Sequence, residues 1–259
     1  MDTKIKQMAR MGYAAKGAVY SLTGGLAAGA AIGFAKSSEG KLGVIKFLQE
    51  QPFGNVLLGI LAVGLLCYAL WRFFECIKDP ENIGTGLKAI VKRVGFFLSG
   101  LIYLGLSVYS VYQILQPTAS QESSGSALLP TEYLELIFYV IAIGMAIKAI
   151  FHIVKAYKGT FLEKFHLQTL YDLKTRKTLK WMAYAGLISR AIVAGIVAYF
   201  FFTAADTANS ANIKGTSEAF SFLRENSEGS WLMFAVALGL ICYGVYMFIL
   251  AKYRKFKDG

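Results

Sequence analysis

The sequence predicts an all-α integral membrane protein, with six transmembrane helices arranged as three parallel two-helix repeats. Three observations carry that expectation. Of the 259 residues 56% are hydrophobic and only 17% are charged, with a mean hydropathy of +0.49; a soluble domain carries about 25% charged residues. Six apolar runs lie at 12–34, 55–74, 94–115, 133–154, 183–204 and 231–251, each close to the roughly twenty residues that cross hydrocarbon as a helix. The runs also repeat in pairs.

The odd runs open alike: RMGYAAKGAVY at 10–20, RVGFFLSGLIY at 93–103 and YAGLISRAIVA at 184–194. Their register superposes Gly12, Gly95 and Gly186, then Lys16, Ser99 and Arg190, then Gly17, Gly100 and Ala191. The even runs align through Gly64, Gly144 and Gly239, and through Tyr68, Lys148 and Tyr243. The units are 1–85, 86–160 and, after a cytoplasmic linker at 161–180, 181–259. Two spans per unit keep every unit the same way up, which directs the symmetry axis along the membrane normal. The expected architecture is a pseudo-threefold bundle; a less regular six-helix bundle is the alternative.

The first span follows a basic N-terminus, and its Ala28-Gly29-Ala30 triplet loosely resembles a signal cleavage site. Its apolar run exceeds the 7–15 residues typical of such a signal, and the repeat requires this helix, so it is read as retained. Within it Gly17, Ser21, Gly25, Gly29 and Gly33 recur every fourth residue, nearly on one helix face. Such a face lets helices approach closely in lipid. Two roles are open to it: a tight neighbour within the bundle, or a groove docking a partner protein or a second copy. Its outer half does not recur, since Gly25 corresponds to Val108 and Tyr199.

The connections follow in order. Leu42, Ile45 and Leu48 predict a short amphipathic helix lying at the outer interface. FLQEQPFGNVLL at 47–58 has a counterpart in FLRENSEGSWLM at 222–233. QPTASQESSGSALLPTEY between the third and fourth spans reads as irregular coil. The stretch at 161–180 reads as a surface helix with Phe161, Phe165 and Leu170 on its apolar side. Trp71, Trp181 and Trp231 fall near span ends, where interfacial belts place such rings.

Charge sets the expected orientation. Nineteen of the Lys and Arg residues lie at the N-terminus, in the second and fourth loops with adjoining span ends, and at the C-terminus; five lie in the other loops. Basic residues collect on the cytoplasmic side, so both termini are expected there, in the bacterial cytoplasmic membrane. The net charge of +11 is then mostly orientation, with attraction to anionic lipid, and nucleic acid is not an expected partner.

The pattern R-x-G-x-x-x-[KRS]-[GA] opening an odd helix, followed by P-F-G and by G-L-x-x-Y-A-L-W-R in the even one, resembles a bacterial membrane family. That family is known as a domain of unknown function, number twelve-oh-six. Arg10, Gly12, Lys16, Gly17 and Tyr20 carry the likeness, with Pro52, Phe53, Gly54, Tyr68, Trp71 and Arg72. The resemblance covers nearly the whole chain and implies three tandem two-helix repeats in a membrane; it implies no activity. The middle repeat departs most, with Ser99 for the basic residue and Lys148 for the tyrosine.

No constellation predicts catalysis, and no cofactor or metal is expected. His152 is read as interfacial, and His166 lies in the loop beyond; neither has an HxxxH partner. GFAKSSEGKL at 33–42 has the wrong spacing for a phosphate loop, with Leu42 where Ser or Thr would bind magnesium. Cys67, Cys76 and Cys242 lack ligand spacing and read as small apolar packing. The carboxylates Glu75 and Glu135 fall near span ends.

Lys16, Lys148 and Arg190 are the exceptions, since ionisable groups inside spans are rare and functional. They are expected one to two turns in from the cytoplasmic ends. Two readings stand. The side chains snorkel to lipid phosphates, or they converge inside the bundle and require an anion there. The expected function is a non-enzymatic scaffold or accessory subunit binding lipid or a membrane partner. The alternative is a small transporter or channel whose anion path these three cations line.

Overall fold

A backbone crossing hydrocarbon must satisfy its own polar groups, and each apolar run accordingly falls on a long helix. The computed structural model describes residues 3–34, 41–78, 80, 84, 86–115, 131–159, 173–206 and 229–254. Among them are α1 (Thr3–Ala31), α2 (Lys41–Gln49), α3 (Gly54–Lys78), α4 (Leu87–Leu115), α5 (Thr131–Lys158), α6 (Leu173–Asp206) and α7 (Gly229–Tyr253). Five stretches are long and apolar enough to cross a membrane: Gly54–Lys78, Ala89–Leu115, Phe138–Lys158, Lys180–Thr203 and Ser230–Tyr253. The chain is therefore a multi-pass membrane protein. Lys16 and the small residues of α1 leave that helix less apolar, and it packs between two other helices.

In space the long helices follow the order α4, α3, α1, α7, α6, α5, each packed on the next. The row curls round α2, which packs on α1, α3 and α4. Tyr68, Trp71, Leu58, Leu65, Leu187, Met233 and Tyr246 form the fully buried centre. Small residues allow the closest crossings. A Cβ on Gly12 would stand 2.6 Å from the Tyr68 Cα, and one on Gly186 would stand 2.7 Å from the Tyr243 Cα. Gly64 meets Ala15 and Gly239 meets Ser189 in the same way. The α1–α3 and α6–α7 pairs thus share one packing scheme.

The small-residue stripe of α1 does not act as one face. A Cβ on Gly17 would stand 3.0 Å from the Gly244 carbonyl oxygen of α7, and Ser21 sits against Gly244 as well. The contact then passes to Gly24, which meets Ala237 and Ile241. Gly25 faces open space, and Gly29 is half-buried. The reason is rotational: a step of four residues turns about 40° past a full helical turn, so the stripe drifts off the α7 seam. Gly33 lies beyond the helix with φ of 77°. Phe34 N–H donates to the Gly29 carbonyl at 2.8 Å and Gly33 N–H to Ala30 at 3.3 Å; Gly33 is therefore a C-terminal cap.

α2 does not lie across the outer interface as its spacing suggests. Its Lys41 ammonium is 5.2 Å from the Tyr20 ring and 5.4 Å from the Tyr103 ring. Its Gln49 Nε2 donates to the Gln113 carbonyl at 2.9 Å. Tyr103 and Gln113 are about 15 Å apart along α4, so α2 runs alongside α4 into the bundle. Val44 and Ile45 are fully buried, whereas Leu42 is 49% exposed. The Pro52-Phe53-Gly54 turn then reverses the chain into α3. A Cβ on Gly54 would meet the Leu48 and Gln49 carbonyls, and Phe53 takes a φ of 61°.

Further expectations are corrected. Trp71 is buried in the core, and its Nε1 donates to the Tyr13 hydroxyl at 3.3 Å. Trp181 and Trp231 remain exposed. His152 is buried rather than interfacial. The linker at 161–180 is already helical from Leu173. The coil between α4 and α5, the rest of that linker including His166, and residues 222–228 of the segment matched to 47–58 lie outside the described residues.

Candidate functional site

Tyrosines recurring at matched helical positions turn their rings to the bundle centre, and the cations follow them. α1 contributes Lys16 and, one turn on, Tyr20; α3 contributes Tyr68 and, one turn on, Arg72. Lys16 Nζ donates to the Tyr68 hydroxyl at 2.7 Å, and Arg72 Nε donates to the same oxygen at 2.7 Å. A second Arg72 nitrogen also reaches it. The Lys16 ammonium stands 4.6 Å from the Tyr68 ring centre, 5.3 Å from Tyr103, 5.8 Å from Tyr243 and 6.0 Å from Tyr20. Rings at such distances attract a cation through their quadrupoles. Lys16 is buried, which rules out snorkelling for it.

Arg190 of α6 repeats the arrangement. One guanidinium nitrogen donates to the Tyr243 hydroxyl at 2.5 Å, and the group lies 4.4 Å from that ring and 5.0 Å from Tyr20. Arg190 lies within the apolar stretch Lys180–Thr203 of α6. A cavity of about 50 Å³ beside it is lined by Tyr20, Thr23, Lys41, Met145, Lys148 and Arg190. Two of the three predicted cations, Lys148 and Arg190, therefore share one cavity, and Lys16 stands across the Tyr20 ring from it.

Four charged residues at this site, Arg72, Glu75, Arg254 and Lys41, escape the sequence reading as site members. Glu75 lies close to the end of α3 yet is fully buried. Its carboxylate accepts from Arg72 at 2.5 Å and from Arg254 at 2.8 Å. Arg254 also rests 4.9 Å from the Tyr13 ring and 5.2 Å from Trp71. The Tyr68-Arg72-Glu75 spacing is a readable signal, since positions four and three apart share a helix face. No local pattern announces Arg254, 179 residues from Glu75. By sequence Lys41 falls in the loop between the first two apolar runs, and only the fold brings it to the site.

The polar core thus divides by charge. Toward the end bearing the termini, Arg72 and Arg254 share a carboxylate. Farther in, among the described residues, no carboxylate pairs with Lys16, Lys41, Lys148 or Arg190. Such an arrangement is equipped to hold an anion by charge-assisted hydrogen bonds. Among the described residues no group of His, Cys, Asp or Glu is placed to hold a metal ion.

Fold and site together define a class: polytopic helical membrane proteins with a cationic, tyrosine-lined core. Within that class the chain belongs to the family described as Domain of Unknown Function (DUF1206), whose model matches residues 11–79 and 185–254, more than half of the sequence. The two matches fall on the α1–α3 and α6–α7 pairs, so the family unit occurs twice here. The chain is also similar to the uncharacterized protein YxxB of Bacillus subtilis (strain 168), with 27% identity over 253 residues, 96% of this chain and 91% of the relative. No solved structure matches the chain.

Proposed function

We propose that this protein binds an anionic group, carried by a lipid or free in solution, inside its helix bundle, and serves as a non-enzymatic scaffold or accessory subunit. In this reading α1 is the sixth span, both termini are cytoplasmic, and the three helix pairs are related by a pseudo-threefold axis. The observation that carries it is the cavity lined by Lys41, Lys148 and Arg190, with no carboxylate partner for any of them among the described residues. Lys41, Lys148 and Arg190 are partly buried; charge withdrawn from water without a partner is unfavourable, and an anion compensates it with charge-assisted hydrogen bonds. The cavity's size suits a compact group such as phosphate.

The test is ligand-linked stability. Inorganic phosphate should raise the thermal midpoint of the detergent-solubilised protein, since a ligand bound only to the folded state stabilises it. The paired substitution Lys148→Gln with Arg190→Gln should abolish the response. A folded double variant that responds like the wild type would sink the proposal.

A column of cations favours a second reading, anion transport. Lys41, Lys16 and Arg72 follow one another through the rings of Tyr20 and Tyr68 toward the terminal end. Reconstituted vesicles separate the two: anion flux lost in the double variant supports transport, and a wild type without flux leaves binding alone.

A further inference from the structure

Lys148, which lines the cation cavity, belongs to a helix pair packed unlike the other two. In the α1–α3 and α6–α7 pairs, matched glycines bring the backbones together at Gly12 and Gly64, and at Gly186 and Gly239. At the corresponding positions of α4 and α5, a Cβ on Gly95 or Gly144 would meet nothing within 4 Å among the described residues. The cause is legible in the residues. Leu98 stands where the closed seams have Ala15 and Ser189, and Lys148 stands where they have Tyr68 and Tyr243. A leucine cannot fit where the closed seams bring a glycine backbone against a small side chain, so this pair cannot close as the others do.

The open seam offers two chemistries in sequence. At its outer edge Leu98, Ile141 and Ile147 are exposed apolar side chains. Deeper in, Lys148 leads to Arg190 and Lys41 around the cavity. One turn beyond Lys148, His152 is 7% exposed, and neither of its ring nitrogens has a hydrogen-bond partner. Val44 and Ile45 of α2 are buried toward one end of the bundle, and the Arg72-Glu75-Arg254 cluster occupies the other.

We propose that the α4–α5 seam is a lateral entry for one anionic lipid. Its phosphate-bearing headgroup sits among Lys41, Lys148 and Arg190, and its acyl chain lies between α4 and α5. The proposal rests on the anion-binding reading and names the ligand class. A free anion meets the cations but leaves the apolar seam bare, whereas a lipid covers both and reaches the cavity sideways from the bilayer.

The experiment uses the full chain, equilibrated with vesicles of equal phosphatidylglycerol and phosphatidylcholine and then solubilised for native mass spectrometry. The wild type should retain one phosphatidylglycerol in preference to phosphatidylcholine. Gly144→Trp fills the seam while leaving Lys41, Lys148 and Arg190 in place, and should cut that retention about tenfold while inorganic phosphate still raises the thermal midpoint. Leu98→Ala, which lets the seam close, should act in the same direction and guards against misfolding of the tryptophan variant. Retention at wild-type level in both seam variants overturns lateral entry. A wild type that responds to phosphate but retains no lipid overturns the lipid assignment and leaves anion binding standing. Absence of both responses removes the two readings together.

Discussion

Lys16 and Arg190 hold the same place in two repeats, and both bond the tyrosine of the facing helix: Tyr68 for one and Tyr243 for the other. The glycines beside them, Gly12 and Gly186, let those tyrosines come close by leaving their backbones in contact. This gives a contrast at the residue scale. Gly12→Ala places a methyl 2.6 Å from the Tyr68 Cα and should destabilise the protein by about 1–3 kcal/mol, the range for overpacking a filled site. Gly95→Ala, at the matching position with open space around it, should be neutral or gain up to about 1 kcal/mol from helix propensity. Thermal midpoints in one detergent compare the two, and equal losses would remove the closed-versus-open distinction between the seams. The sequence register was enough to pair these glycines. It was silent on which seam is closed, because closure depends on the side chain opposite.

Elements show where local pattern misleads. α2 has an i, i+3, i+6 apolar spacing through Leu42, Ile45 and Leu48, yet it buries Val44 and Ile45. A helix of nine residues surrounded by neighbours on three helices is not governed by a single stripe. At the other end of the bundle, Glu75 joins α3 to the last turn of α7 through Arg254 while also holding Arg72 on its own helix. Removing one partner of a buried ion pair costs about 3–5 kcal/mol. Glu75→Gln should therefore lower stability by that order and expose the end of α7 to proteolysis. Adding Arg254→Gln should recover part of the loss, since it removes the stranded charge. A double-mutant cycle with no coupling would show that the pair contributes nothing.

At the scale of the whole molecule, the proposed orientation makes a direct prediction. A green fluorescent protein fused after Gly259 should fluoresce, and alkaline phosphatase at the same point should be inactive. The opposite pattern would invert the bundle and place the Arg72-Glu75-Arg254 cluster on the outside. Much of this architecture was written in the chain. Hydrocarbon demands helices of a minimum length, so the apolar runs reveal the long helices and the multi-pass class, and the matched registers at Gly12 and Gly186 reveal the repeated pair before any packing is known. The basic loops point to an orientation for the same reason, since charge acts along the sequence. What the packing alone disclosed is which way the polar groups turn. Lys16 and Arg190 face rings rather than lipid, Trp71 bonds Tyr13 instead of lying at an interface, and Glu75 meets a residue 179 positions away. Periodicity records only that a helix has two sides; the neighbour that fills each side is chosen by residues distant in the chain, and with it the cationic cavity and the seam that opens beside it.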